Sequence, residues 1–168
     1  TEAARAAYNP AMSPVLFDRM LLRARRRRAR TLGPATFLVD RVAADLAERL
    51  SAVLRTFQVA VDLGTPSDAV RRAIAAGGRV TTVIAADPDA RLLAPDFPRV
   101  AADEEALPFT DGSLDLVASV LALQFVNDLP GALIQIRRAL KPDGLFLAAL
   151  AGGDTLTELR EAFALAES

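Results

Sequence analysis

Apolar residues along this chain recur at two spacings, and the spacing changes near residue 55. Before that point the period is helical. Leu16, Met20 and Ala24 stand four apart, with Phe17 and Leu21 beside them. Ser13-Pro14 supplies a helix start, because a serine oxygen accepts orphan amide hydrogens and proline suits the first turn. This predicts a short amphipathic helix that runs into a block of arginines and stops at Gly33-Pro34. Leu38, Val42, Leu46, Leu50 and Val53 then repeat every three to four residues, with Arg41, Asp45, Glu48 and Arg49 on the opposite side, and predict a second helix.

Beyond residue 55, short apolar runs alternate with helical ones. Phe57 to Leu63 is β-rich and ends at Gly64. Ser67 can cap a helix carrying Val70, Ala73 and Ile74, which Gly77-Gly78 closes. Val80 to Ala86 is a second strand, Arg99 to Ala102 a weak third and Leu114 to Val120 a fourth. Asp128 caps a helix whose Leu133, Ile136 and Leu140 are expected to face inward; Lys141-Pro142-Asp143-Gly144 reads as a turn, and Leu145 to Leu150 as a fifth strand. Thr155 and Glu158 have capping-box spacing ahead of Leu159 and Phe163. Strands alternating with helices imply right-handed βαβ units and a parallel sheet. The expected organisation is a helical cap over residues 1–54 and a nucleotide-binding α/β core over 55–168, with helices on both faces of a mostly parallel sheet.

Composition narrows the chemistry. With 168 residues, 52% of them hydrophobic and 24% charged, the chain has the balance of a globular domain with a sizeable core. Cysteine and histidine are both absent, so disulfides, thiolate or imidazole metal sites and histidine bases are excluded within this chain. The net charge of −1 sets up no global field for nucleic acid, and few aromatics are available for base stacking. No apolar run is long enough to span a bilayer, and the expected location is the cytoplasm. Lys141 is the one lysine, and with the heavy alanine usage this points to a GC-rich bacterial genome. The charge is locally uneven: Arg23, Arg25, Arg26, Arg27, Arg28 and Arg30 form a basic run. It reads either as a solvated helix face or as a lid or docking surface for an acidic partner such as a carrier protein or an assembly client.

In open parallel sheets, ligands bind beyond the carboxyl ends of the strands, where the strand order reverses. Here those ends carry acids. Asp62-Leu63-Gly64 closes the first strand, Asp87-Pro88 the second, and Asp103-Glu104 follows the third. Glycine permits close backbone approach. A carboxylate at Asp87 can accept both hydroxyl hydrogens of a ribose, and one at Asp103 or Glu104 an exocyclic adenine amine. Taken singly, each acid reads as a solvated loop residue or helix cap. Their order at successive strand ends points to a nucleoside ligand.

The segments VDLG, AADEEALPFTDGSLDLVAS and IRRALKPDGLFLAAL resemble motifs of the class I S-adenosylmethionine-dependent methyltransferases, type 11 group. LFDRMLLRARRRRA, LQFVNDLPGALIQIRRALKPDGLF and GGDTLTELREAF resemble one branch of it, the bacterial relatives of the respiratory complex I assembly-factor methyltransferase-like proteins. That branch is related to the malonyl-carrier-protein methyltransferases. The resemblance implies a Rossmann-like fold, S-adenosylmethionine as cofactor, and a small molecule or a protein as methyl acceptor. It places Asp62 and Gly64 in the first motif and Asp87, with Pro88 next to it, at the ribose. Asp103 and Glu104 fall at the adenine, and Ser119 to Leu121 along the cofactor wall. For the mitochondrial relatives it implies arginine hydroxylation and complex I assembly, which makes an assembly factor or a catalytically degenerate binding protein the alternatives. The family's first loop has the form DxGxGxG, whereas this chain reads Asp62-Leu63-Gly64-Thr65-Pro66-Ser67-Asp68, with no second glycine and no amide hydrogen on Pro66. Gln124-Phe125 stands where relatives often carry His-Trp. The family fold also adds two further strands after the fifth, so the sheet edge here is expected to be covered by further chain or by a partner.

Overall fold

The computed structural model describes residues 15–90 and 93–167. Helices α1 (Arg19–Leu32) and α2 (Phe37–Ser51) precede an alternating core of β1 (Phe57–Leu63), α3 (Ala69–Ala76), β2 (Val80–Asp87), β3 (Arg99–Ala101), β4 (Leu114–Val120), α4 (Leu129–Ala139) and β5 (Leu140–Ala149). Helix α5 (Thr157–Ala166) follows. The five strands pair in the order β3-β2-β1-β4-β5, every pair parallel. The order reverses between β1 and β4, which sets the crevice at the carboxyl ends of those strands.

The alternation of side chains along the strands feeds two cores. On one face, Val39, Ala43, Leu46 and Leu50 of α2 and Val70 and Ile74 of α3 pack on Phe57, Ala60, Leu116, Ala118 and Val120. On the other, Ile136 and Ala139 of α4 pack on Val61, Leu63 and Val117, with Leu123 and Val126 beside them. All seven residues of β4 are buried, as a strand covered on both faces requires. A side chain such as Ile74, fully buried, contributes about 1.5–3 kcal/mol.

Several local expectations are corrected. Ser13 and Pro14 lie outside the described residues, and α1 is capped by Asp18, whose carboxylate accepts from Leu21 N. In α2 the buried stripe is Val39, Ala43, Leu46 and Leu50, while Leu38 is exposed. In α4, Leu133 is exposed and Ala132 takes the inward place. Residues 141–144 do not leave the sheet as a turn. They form an irregularity within β5, where Leu114 pairs with Leu140 but Leu116 with Leu145. Lys141 is held there by both carboxylate oxygens of Asp115, each at 2.9 Å. The capping box at Thr155 does not form, since Thr155 Oγ1 accepts from Gly152 N and Leu156, at φ 59°, opens α5.

Candidate functional site

Gly64 leaves β1 at φ 69°, and its amide donates to Ala86 O at 2.7 Å, which ties the end of β1 to β2. A Cβ at this position would collide with the Glu104 carboxylate and stand 3.1 Å from Ala122 Cβ. Only glycine meets both the positive φ and the close approach. The altered loop after it is fixed by side chains instead of glycines. Val120 N donates to Thr65 Oγ1 at 3.2 Å, and the Ser119 hydroxyl donates to Leu63 O at 2.8 Å, which commits that hydroxyl to joining β4 and β1. Arg71 Nη1 donates to Ser67 O at 2.9 Å and to Asp62 Oδ2 at 3.0 Å.

Asp62 and Arg71 are both buried. Burial pushes the Asp62 carboxyl up to about 6, against the Thr65 hydroxyl and the Arg71 charge, with the charge of Asp87 adding to the rise. Asp62 therefore turns beneath α3 toward Arg71. Its Oδ1 and Arg71 Nε are buried with no hydrogen-bond partner. Arg71 was missed in the sequence, where it reads as one more polar residue on a short helix.

The other acids converge. Asp87, buried at the end of β2, accepts from Asp89 N through Oδ1 at 2.8 Å. Ala102 N donates to Asp87 O at 3.2 Å and brings Asp103 and Glu104 alongside. Glu104 is buried against Gly64. So Gly64, Asp87, Pro88, Asp103 and Glu104 share one rim, while Asp62 stands behind it. Leu121, at φ 52°, turns the chain out of β4, and its amide donates to Ala149 O.

Arginines of α1 lie across this rim. Arg19 Nη2 bonds Asp103 Oδ1 at 2.6 Å and also Glu104, and Arg23 bonds Asp103. Arg26 stands 3.7 Å from Glu104, Arg27 Nε bonds Asp89 Oδ2 at 2.6 Å, and Arg30 stands 3.5 Å from Asp87 Oδ2. The basic run is thus not a solvated face throughout, because the chain itself supplies acids to Arg23, Arg26, Arg27 and Arg30. Arg25 and Arg28 remain exposed. The spacing of Arg19, Arg23, Arg26, Arg27 and Arg30, three and four apart, was the available signal for one charged face. The cleft lined by Arg23, Arg26, Arg27, Arg30, Asp87, Pro88 and Asp89 holds about 10 Å³, room for one water at most. The approach to α1 is pinned by Asn127, whose Oδ1 accepts from Leu16 N and Phe17 N at 2.7 and 2.8 Å. Phe17 meets Phe125 edge-on at 5.9 Å, so Phe125 serves as packing, and Gln124 Oε1 is buried without a partner.

A model of the methyltransferase domain family matches residues 61–148, more than half of the chain. The chain belongs to the methyltransferase domain family. The match takes in Asp62, Gly64, Asp87, Asp103, Glu104, Ser119 and Leu121, while α1 lies outside it. Among curated proteins, the "Arginine-hydroxylase NDUFAF5, mitochondrial" of Mus musculus is 41% identical over 161 residues, covering 91% of this chain and 47% of that protein. The human protein of the same name is 40% identical with the same coverage. A malonyl-[acyl-carrier protein] O-methyltransferase of Gallionella capsiferriformans is 52% identical over 64 residues, 38% of this chain and 22% of that protein. The chain spans about half the length of the mitochondrial relatives. A proposed S-adenosyl-L-methionine-dependent methyltransferase of Methanococcus maripaludis shares the fold at TM-score 0.61 and 20% identity, over 83% of this chain and 68% of that one. The resemblance read from the sequence segments is borne out, and the fold is the Rossmann-like α/β fold of class I methyltransferases. Among the described residues no helix is long and apolar enough to cross a membrane, and no group of side chains could hold a metal ion.

Proposed function

We propose that this methyltransferase-family chain binds S-adenosylmethionine at the carboxyl rim of β1, β2 and β3, as part of an enzyme that methylates a small molecule or a protein. The observation that carries the reading is the buried Asp87 carboxylate at the end of β2. Its Oδ2 has no hydrogen-bond partner, and an ionised carboxylate is a pure acceptor suited to ribose hydroxyls. Asp103 and Glu104, on the same rim, suit the adenine amine. Gly64 adds no side chain of its own between the Glu104 carboxylate and Ala122. The residues present therefore fit the adenosine part of the cofactor. At the methionine end the loop offers fewer donors than the family's glycine-rich form, because Pro66 has no amide hydrogen.

The cofactor, when bound, supplies an electrophilic methyl group on a sulfonium, so the protein's part is positioning. This chain has no histidine, and a proton released by an acceptor has carboxylates or solvent to go to. The test is calorimetric titration of the full chain with S-adenosylmethionine and S-adenosylhomocysteine. Binding is expected, with Asp87→Ala weakening it about tenfold or more. No heat and no thermal shift at millimolar ligand would refute the reading.

One observation favours a second reading, in which the site acts on arginine side chains. Guanidinium groups of α1 already lodge among Asp87, Asp89, Asp103 and Glu104, and the mitochondrial relatives carry the name arginine-hydroxylase. Saturable binding of an arginine-containing peptide that Asp103→Asn abolishes would support it.

A further inference from the structure

We infer that α1 is a strap latched by ion pairs over the acid-lined rim, and that the nucleoside must displace its arginines to bind. The inference rests on the proposed cofactor site and adds its regulation. Three features carry it.

First, α1 has no fully buried residue. A helix of 14 residues with so little apolar burial depends on its polar contacts to stay down. Here those are the pairs of Arg19, Arg23, Arg26, Arg27 and Arg30 with Asp87, Asp89, Asp103 and Glu104.

Second, the acids so occupied are those offered to the cofactor. With the strap down, the cleft beside Asp87 and Pro88 holds about 10 Å³, and the Glu104 carboxylate covers Gly64. An adenosine cannot share that space.

Third, the latch is incompletely satisfied. Arg23 Nε, Arg30 Nη1 and Asp87 Oδ2 are buried with no hydrogen-bond partner. Desolvated groups of this kind weaken the closed arrangement, and a ribose hydroxyl would give Asp87 Oδ2 the donor it lacks. The strap also has defined ends. Asn127 grips residues 16 and 17, and at the other end Gly33, at φ 80° with open space around it, precedes Pro34. The segment between can lift while both ends stay attached.

If closing the strap removes binding-competent protein, the apparent affinity for the nucleoside falls by the fraction closed. Salt screens the pairs, several of whose members are partly exposed, and raises that fraction open. The experiment uses S-adenosylhomocysteine, whose net charge at neutral pH is zero, so that its own salt dependence is small. Its affinity is measured by calorimetry at low and high sodium chloride for three proteins: the wild-type chain, Arg23→Gln/Arg30→Gln, and Arg25→Gln/Arg28→Gln as a control of equal charge change on the outer face. Hydrogen exchange of the α1 amides is followed in parallel.

The expected result is about fivefold tighter binding by the inner-face variant at low salt, from loss of the partly exposed Arg23–Asp103 pair and the more deeply placed Arg30–Asp87 pair. The gap should close at high salt, the control should match wild type, and α1 exchange should be faster in the inner-face variant. Equal binding by all three proteins at both salts would overturn the strap and leave the cofactor reading standing. Weaker binding by the inner-face variant would also overturn it, because the arginines would then be holding the cofactor. If none of the three binds while α1 exchange still accelerates in the inner-face variant alone, the cofactor reading falls and the latch stands. If exchange is unchanged as well, both fall.

Discussion

Replacing Arg71 by leucine tests the account of the altered loop most directly. Arg71 is the cation beside a buried carboxylate, at 3.0 Å from Asp62 Oδ2, and the same guanidinium holds the Ser67 carbonyl. Arg71→Leu leaves Asp62 in place with no counter-charge. Breaking a buried pair by removing one partner costs about 3–5 kcal/mol. In a chain of this size that lowers Tm by about 6–20 °C. The loss also has a pH signature. Burial already raises the Asp62 carboxyl from 3.8 to about 6, so ionising it in the folded state costs stability as pH rises through that window. Without Arg71 the folded carboxyl rises further. The difference between wild type and Arg71→Leu should therefore be largest above pH 6 and shrink as pH falls toward 5, where the carboxyl is protonated in both. Urea denaturation from pH 5 to 8 reads this, and the double variant Arg71→Leu/Asp62→Asn should recover most of the loss at pH 8. A loss under about 1 kcal/mol, or one independent of pH, would contradict the claim that the loop is fixed through a buried ion pair.

Two further outcomes follow from the same geometry. Gly64→Ala combines a left-handed backbone with a clash against Glu104, and should cost about 2–5 kcal/mol by urea denaturation; a stability within about 1 kcal/mol of wild type would refute the close packing there. Asp115 is driven up by burial but held below its ordinary value of 3.8 by Lys141 and the Val59 amide. Wild type should therefore exceed Asp115→Asn by about 1 kcal/mol at neutral pH and lose that advantage as pH falls below 3.8; an advantage that persists in acid would rule the ion pair out as its source.

The strands were legible because their sequences answer to one demand. β1 and β4 lie between two helical layers, so FQVAVDL and LDLVASV had to be near-continuous apolar runs, and their bounds follow from the sequence to the residue. The acids at the strand ends were legible for a related reason, since polar residues directly after buried runs mark where the chain reaches the crevice. What failed was orientation. Apolar periodicity assumes that the greasy face turns inward, and in α1 the charged face does so. Its partners at positions 87, 89, 103 and 104 are more than 50 residues away, and no local pattern encodes them. Arg71 failed on the same ground. Burial of an arginine depends on Asp62 and Ser67 facing it across a loop, which spacing alone does not reveal. The residues 141–144 read as a turn from Pro142 and Gly144, yet the Asp115–Lys141 pair keeps them in the sheet.

Both sets of arginine–carboxylate pairs sit at the carboxyl ends of the strands, but they differ in what can disturb them. Arg71 and Asp62 are excluded from water, so mobile ions do not reach between them and their pairing is set by the fold. Of the α1 pairs, those of Arg23 and Arg27 reach the surface while those to Glu104 and Asp87 lie deeper, and at physiological ionic strength exposed charges are screened over about 8 Å. Ionic strength therefore acts on the outer α1 pairs and not on the Arg71–Asp62 pair. It can loosen the helix over the rim while leaving the Thr65-Pro66-Ser67 loop, and with it Gly64, in the geometry a ligand would meet. In this chain the loop is braced from beneath by a buried ion pair, and the variable element is the arginine helix above it.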